Sequence, residues 1–211
     1  MAKSVYSIVL DDAVAAALDQ WAGRQGCSRS AAINRLLAHQ LGLDTPQQQM
    51  RQILAAIQQQ TALQLLSASD AQMQLRSALR YKYNPTVRYQ IELGTVAGCL
   101  GVLRVSLRTR NAALLDGLDS FYRLWGALEQ RDLPHPETLR YQLQDGRFAR
   151  VLRSAPPGCD ADRLGRLLAG YVELFDRCLN LFFQFWEDTG AALGIVEHTY
   201  REGLTTDIAK L

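Results

Sequence analysis

One short alternating run opens the chain, and a long stretch with helical periodicity follows it. The run KSVYSIVLDD, residues 3–12, alternates two sets of side chains. One set is Tyr6, Ile8 and Leu10, and the other is Val5, Ser7 and Val9. Alternation with a period of two predicts a β-strand with two different faces. An isolated strand leaves its backbone N–H and C=O groups unpaired, so the run predicts a partner strand from elsewhere.

The next thirty or so residues predict two short helices, because their apolar residues recur at steps of three and four. The first helix is expected to extend to about Gly26 and the second to span about Ser30 to Leu41. The turn GCSRS lies between them and offers Ser28 and Ser30 as N-caps. Strand, helix, turn and helix thus occupy the first fifth of the chain.

This order of elements over residues 1–43 resembles the ribbon-helix-helix family of Arc- and MetJ-type repressors. In that family the strand pairs antiparallel with the same strand of a second subunit, so the resemblance implies a homodimer that binds double-stranded DNA. It implies that the outward strand face enters the major groove and contacts bases. The base-contacting residues would be Val5, Ser7 and Val9. The phosphate-contacting residues would be Lys3, Arg24, Ser28, Arg29 and Ser30.

The outward strand face departs from the family pattern. Many family members carry arginine, lysine, asparagine or threonine there, whereas this chain has only Ser7 as a hydrogen-bonding side chain. Serine and valine discriminate bases less well than a bidentate arginine. The sequence therefore favours DNA binding over stringent readout, and a ribbon whose Val5 and Val9 are covered by another element would read no bases.

The rest of the chain predicts two further segments. Residues 44–82 are rich in glutamine, alanine and leucine and predict a helical connector. Residues 83–211 contain the strand-like runs TVRYQIEL and GVLRVSLRT, an Asp145-Gly146 hairpin of type I′, and long helical segments. We therefore expect a mostly α fold with small β parts. It would comprise a ribbon-helix-helix domain at 1–43, the connector at 44–82, and an α+β domain at 83–211 for oligomerisation, effector sensing or partner binding.

Basic side chains concentrate between residues 76 and 110, where Glu92 is the only acid. They are Arg76, Arg80, Lys82, Arg88, Arg104, Arg108 and Arg110. Because tyrosines are interleaved with them, the segment predicts a secondary DNA surface that contacts phosphates. A solvated polar sheet face is the alternative interpretation.

Other classes of function find little support. The four cysteines and three histidines fit no metal-ligand spacing, and no phosphate loop or nucleophile motif is present. Asp116 and Asp119 share a helix face without a histidine nearby in sequence and suit solvated positions. No secretory leader or membrane span is visible. We expect a cytoplasmic protein that is no enzyme and uses no metal or cofactor.

The expected function is sequence-specific DNA binding by a homodimer or tetramer, as a transcriptional repressor or autoregulator. One alternative is an accessory DNA-binding factor in plasmid mobilisation, partition or another DNA-processing assembly. A second alternative is a dimeric scaffold that does not bind DNA. The aromatic residues of the C-terminal part would either line a pocket for a small effector or pack as a core; a protein partner could also bind there.

Overall fold

The computed structural model describes residues 7–24, 26–41, 46–155 and 158–211, without the side chain of His39. The chain forms two compact units, residues 1–48 and residues 49–211. No described helix is long and apolar enough to cross a bilayer.

The first unit contains two short helices, α1 (Asp12–Arg24) and α2 (Arg29–Gln40). Gly26 lies between them with a φ of 59°, a left-handed conformation that favours glycine. The Ser28 hydroxyl caps α2 by accepting a hydrogen bond from the Ala31 N–H at 3.2 Å. The core of this unit is small. Among its described residues, Leu18, Ala22 and Ala32 are buried and apolar.

The predicted ribbon-helix-helix arrangement is wrong. Residues 7–10 of the alternating run form no strand, and three helices, α1, α2 and α3 (Pro46–Gln60), precede the first strand of the described chain. Ile8, Val9 and Leu10 are exposed, so their alternation places no apolar set in a core. Period two alone does not supply the hydrogen-bonding partner that makes a strand. Lys3 and Val5 lie outside the described residues.

The second unit is built on a six-stranded antiparallel sheet with the order β1-β2-β3-β4-β6-β5. The strands are β1 (Gln64–Ala68), β2 (Gln72–Ala78), β3 (Thr86–Leu93), β4 (Gly101–Leu107), β5 (Tyr141–Gln144) and β6 (Arg147–Leu152). The helices are α4 (Ala112–Asp132), α5 (Ala161–Gln184) and α6 (Thr189–Gly203), with 3-10 turns at Pro136–Thr138 and Ile208–Lys210. The protein is therefore α+β, and the prediction of a mostly α fold with small β parts is wrong.

The predicted helical connector is also corrected. Only α3 matches it, because residues 44–82 go on to form β1 and β2. The high content of glutamine, alanine, leucine and methionine favours a helix. However, Met73 and Leu75 alternate with polar residues and are completely buried against the neighbouring strand and the helices. Tertiary packing therefore overrides the local helix propensity in β2.

One face of the sheet is apolar and carries the core. Register places Met73, Ile91 and Leu103 in one cross-strand row. It places Leu75, Tyr89, Val105 and Phe148 in the next row. Helices α3, α4, α5 and α6 all contribute buried side chains to the same cluster. The helices of this unit thus cover the apolar face.

The hairpin between β5 and β6 forms as predicted. Asp145 and Gly146 have φ angles of 48° and 70°, the two positive values that a type I′ turn requires. The Gly146 N–H donates a hydrogen bond to the Asp119 carboxylate of α4 at 3.1 Å. Asp119 thereby ties the hairpin to the helix layer, which gives this aspartate a structural role.

Gly165 of α5 marks a close approach between two helices. A Cβ at this position would lie 2.7 Å from the Ile53 carbonyl oxygen of α3. A Cβ at Gly126, in the interior of α4, would meet no atom within 4 Å. We predict that Gly165→Ala lowers the free energy of unfolding by about 1–3 kcal/mol, because α3 must move away. Gly126→Ala, the matched control, should raise it by about 0.5–1 kcal/mol. Urea unfolding of both variants measures the difference, and equal effects would contradict the packing of α3 on α5.

Candidate functional site

The face of the sheet opposite the helices is polar and rich in arginine; we call it the open face. Register defines one cross-strand row on it, in which each residue lies opposite the next. The row is Gln64, Arg76, Arg88, Ser106, Arg147 and Gln144. Strand alternation produces this row in the central strands, where the residues on either side of Arg88 and of Ser106 are buried in the core.

A second row runs beside the first, two residues further along each strand. It consists of Gln74, Gln90, Arg104, Ala149 and Gln142. Apart from Gln64 and Arg76, the residues of the two rows line a broad concavity of about 900 Å³, and Arg108 lines its rim just beyond the end of β4. The open face therefore presents guanidinium and amide groups over several strands.

The positive charges of the open face are poorly compensated. Arg104 Nε lies 3.4 Å from Glu92 Oε1, a long contact that leaves most of its guanidinium unused. Arg76 Nε donates to the neutral Gln64 amide at 2.8 Å. Arg88, Arg108 and Arg147 make no ion pair within the part of the chain that the structure describes. These guanidinium groups are thus free to bind an anion.

Two of these arginines repel each other. Arg76 of β2 lies directly opposite Arg88 of β3 on the same face. Like charges at directly opposite positions of neighbouring strands destabilise a sheet. The pair therefore weakens the sheet when no anion is bound, and an anionic ligand would remove that repulsion.

The structure brings together four of the seven arginines and lysines predicted as a secondary DNA surface. Arg76, Arg88, Arg104 and Arg108 lie on or beside the open face. Arg80 instead donates to the Gln184 side chain of α5 at 3.1 Å. Lys82 lies in the turn between β2 and β3, and Arg110 lies between β4 and α4. Four residues of the predicted set thus share one face of the sheet, and the other three lie elsewhere.

Sequence reasoning missed Arg147 and the glutamines of the open face. Arg147 follows the Asp145-Gly146 turn and precedes the buried Phe148, so strand alternation places it on the face opposite the core. The alternation after the hairpin turn was therefore enough to predict the side of the strand on which Arg147 lies. The sequence did not show which strand the hairpin pairs with. In the structure β6 pairs with β4, although α4 and β5 lie between these two strands along the chain.

The predicted DNA-contacting residues of the first unit are not gathered into a basic cluster. Arg29 forms a bidentate ion pair with Asp19. The Ser28 hydroxyl caps α2, and Arg24 Nε contacts the Gln20 carbonyl oxygen at 3.4 Å. Ser30, Ser7 and Val9 are exposed. Lys3 and Val5 lie outside the described residues.

The aromatic residues of the second unit pack against one another. Phe175 lies at the centre, with ring centroids 5.3 Å from Phe121 and 4.7 Å from Trp125. Both neighbours and Phe175 itself are completely buried. Of the two interpretations of these aromatic residues, core packing therefore accounts for this cluster. Within the described residues, no group of three or more histidine, cysteine, aspartate or glutamate side chains could hold a metal.

Comparisons with protein families, curated proteins and solved structures return no match for this chain. Its function therefore has to be inferred from the geometry of the open face. That face combines unpaired guanidinium groups with amides that both donate and accept hydrogen bonds. Such a surface has the chemistry that anion binding requires and is suited to a polyanion, because its charges extend over four strands.

The repulsion between Arg76 and Arg88 gives a prediction for stability. We expect Arg88→Gln to raise the free energy of unfolding by about 0.2–1 kcal/mol at low salt, because a like-charge pair is removed. The gain should shrink at high salt, where the charges are screened. The matched control is Arg123→Gln, which removes an exposed arginine of α4 on the helical side. Urea unfolding at two salt concentrations measures the stability of both variants, and a loss of stability in Arg88→Gln would contradict the repulsion between Arg76 and Arg88.

Proposed function

We propose that the protein binds double-stranded DNA through the open face, as an accessory factor in a DNA-processing assembly. The observation that carries the proposal is a set of arginines on one sheet face that, among the described residues, has one ion pair, between Arg104 and Glu92. Contacts to phosphates supply most of the affinity of non-specific DNA binding. Guanidinium groups bind phosphate oxygens through paired hydrogen bonds.

The width of the sheet favours contact with the DNA backbone over entry into a groove. Six strands give five spacings of about 4.8 Å, or about 24 Å in total. The major groove of B-form DNA is only about 12 Å wide. The whole open face therefore lies across the backbone, where its arginines and glutamines reach phosphates and sugars. We expect binding with little dependence on base sequence.

The chemistry of the open face favours a duplex over a single strand. Proteins that bind single strands without sequence preference stack the bases on aromatic side chains. The described aromatic residues of the strands belong to the other side of the sheet. Tyr89 and Phe148 are buried in the core, and the Tyr141 hydroxyl donates to the Glu129 carboxylate at 2.7 Å. The open face offers charge and amides but no stacking platform among these residues.

Repression through sequence recognition, the function expected from the sequence, is not the function we propose. It needs an element that reads base edges, and residues 7–10 form no strand that could do so. Arg29, the predicted backbone contact with a charged side chain in the turn, is already paired with Asp19. DNA binding without stringent recognition fits the open face better.

We propose further that the protein acts as a dimer of identical chains through its first unit. The described residues of this unit include three buried apolar ones, and units of this size rarely fold alone without an additional source of stability. It exposes a larger apolar set. The exposed residues are Ile8, Val9, Leu10, Val14, Leu36, Leu37 and Leu41. A second copy would cover them and link two open faces in one assembly, and binding of DNA by both would raise the overall affinity by avidity.

The DNA-binding proposal predicts a specific loss. The double variant Arg88→Gln with Arg147→Gln should weaken binding to a duplex by about tenfold or more and reduce the salt slope by about 2. Duplexes of unrelated sequence should bind wild type with similar affinity. Fluorescence anisotropy across a range of salt concentrations measures both quantities.

Two matched variants test where the DNA binds. Arg123→Gln changes an arginine on the helical side and should bind as wild type does. The double variant Arg29→Ala with Ser7→Ala changes the first unit and should also retain its affinity. Loss of binding in the latter, with normal binding in Arg88→Gln/Arg147→Gln, would contradict the proposal.

The dimer proposal has its own measurement. Sedimentation velocity should find wild type as a dimer and the variant Leu37→Gln/Leu41→Gln shifted to monomer, because the polar amides oppose burial. Leu193→Gln changes an exposed leucine of α6 in the second unit and should remain dimeric. A monomeric wild type at micromolar concentration would rule the dimer out.

A further inference from the structure

Ser106 lies at the centre of four arginines on the open face. Arg88 lies opposite it on β3, and Arg147 lies opposite it on β6. Arg104 and Arg108 precede and follow it by two residues, and all five residues line the same concavity. We infer that this arginine ring, formed by Arg88, Arg104, Arg108 and Arg147 around Ser106, is a discrete binding site for one phosphomonoester dianion.

Sheet geometry brings all four guanidinium groups within reach of one point above Ser106. Directly opposite residues have Cβ atoms about 4.5–5.5 Å apart. Residues two apart on one strand are separated by about 7 Å. An extended arginine side chain spans such distances, so each of the four can lean over the Ser106 hydroxyl. That hydroxyl is half-buried and makes no hydrogen bond to another described residue, which leaves it available to a phosphate oxygen.

The charge balance selects the monoester. Among the described residues, Glu92 is the only carboxylate that forms an ion pair with the ring, through the 3.4 Å contact to Arg104. Asp145 also lines the concavity but forms no ion pair with these arginines, so four positive charges face at most two negative ones. A phosphodiester in a nucleic-acid backbone carries one negative charge, whereas a phosphomonoester carries close to two at pH 7. Four guanidinium groups therefore gain more from a monoester, which also offers three terminal oxygens for paired hydrogen bonds.

This inference goes beyond DNA binding and does not depend on it. A duplex lying across the open face presents only diesters along its length. A monoester comes from a phosphorylated strand end or from a small phosphorylated molecule such as a nucleotide. Both sources share the dianion that the arginine ring would recognise, and a strand end would direct the protein to breaks and termini.

The test compares two small probes that differ by one charge, methyl phosphate and dimethyl phosphate. Isothermal titration at low salt should show that methyl phosphate binds at least about tenfold more tightly. Its affinity should fall as the pH drops through about 6, where the monoester takes up a proton. Ser106→Ala and Arg147→Gln should each weaken methyl phosphate binding, and Arg123→Gln should not. Equal affinity for both probes, or unchanged binding in Arg147→Gln, would overturn the inference.

Two further arms distinguish the sources and the two proposals. If strand ends are the source of the monoester, a short duplex with 5′-phosphates should bind more tightly than the same duplex with 5′-hydroxyls. If small phosphorylated molecules are the source, adenosine monophosphate should compete with methyl phosphate for the ring. Closed circular DNA has no strand ends, so its binding reports on contacts between the open face and phosphodiesters alone. Retained binding to circular DNA without discrimination between the probes would overturn the ring and leave the proposed function standing. Discrimination between the two probes without binding to circular DNA would contradict the proposed function and leave the arginine ring standing.

Discussion

The sheet of the second unit buries one face only, and the rest of the molecule follows from that constraint. Helices α3 to α6 all contribute to a single core on the same side. Alternation then forces every second residue of the central strands onto the uncovered side. A chain that needed only a solvated surface could fill those positions with charges of both signs. This chain fills the row across β2, β3 and β6 with Arg76, Arg88 and Arg147.

Two arginines of β6 show how position along a strand decides the role of a side chain. Arg147 lies on the open face, and Arg150, three residues later, lies on the core side without exposure. Arg150 Nε is 3.0 Å from Glu129 Oε2, and its guanidinium packs on the Tyr171 ring at 4.8 Å. Burial alone would lower the pKa of Arg150, but Glu129 and the tyrosines outweigh it and hold that pKa above its ordinary value. Arg150 is thus a structural cation, and Arg147 remains free for a ligand.

Part of the fold could be predicted from the sequence because its signals are local. Strand β3 alternates cleanly, residues 103–107 of β4 do so too, and the Asp145-Gly146 pair specifies its turn. The predictions that are wrong depend on which strands pair with each other. Residues 3–12 alternate like a strand, yet residues 7–10 have no partner strand. Residues 72–78 have a helical composition, yet a neighbouring strand and a helix layer make them β2.

The candidate site was predictable only in part, for the same reason. Clustered charge between residues 76 and 110 identified Arg76, Arg88, Arg104 and Arg108. Whether such residues share a surface depends on register across four strands, which a single sequence does not contain. Register adds Arg147 to the row and leaves Arg80 bonded to α5. It also places Ser106 between Arg88 and Arg147, a relation between residues far apart in the chain.

The central claim is that DNA contacts the open face and not the first unit. Modification of arginines with phenylglyoxal, followed by mass spectrometry with and without a saturating DNA duplex, locates the contact directly. The account predicts protection of Arg88, Arg104, Arg108 and Arg147 by the duplex, with unchanged modification of Arg24, Arg29 and Arg123. Protection confined to Arg24 and Arg29, with the open-face arginines modified as fast as before, would contradict it.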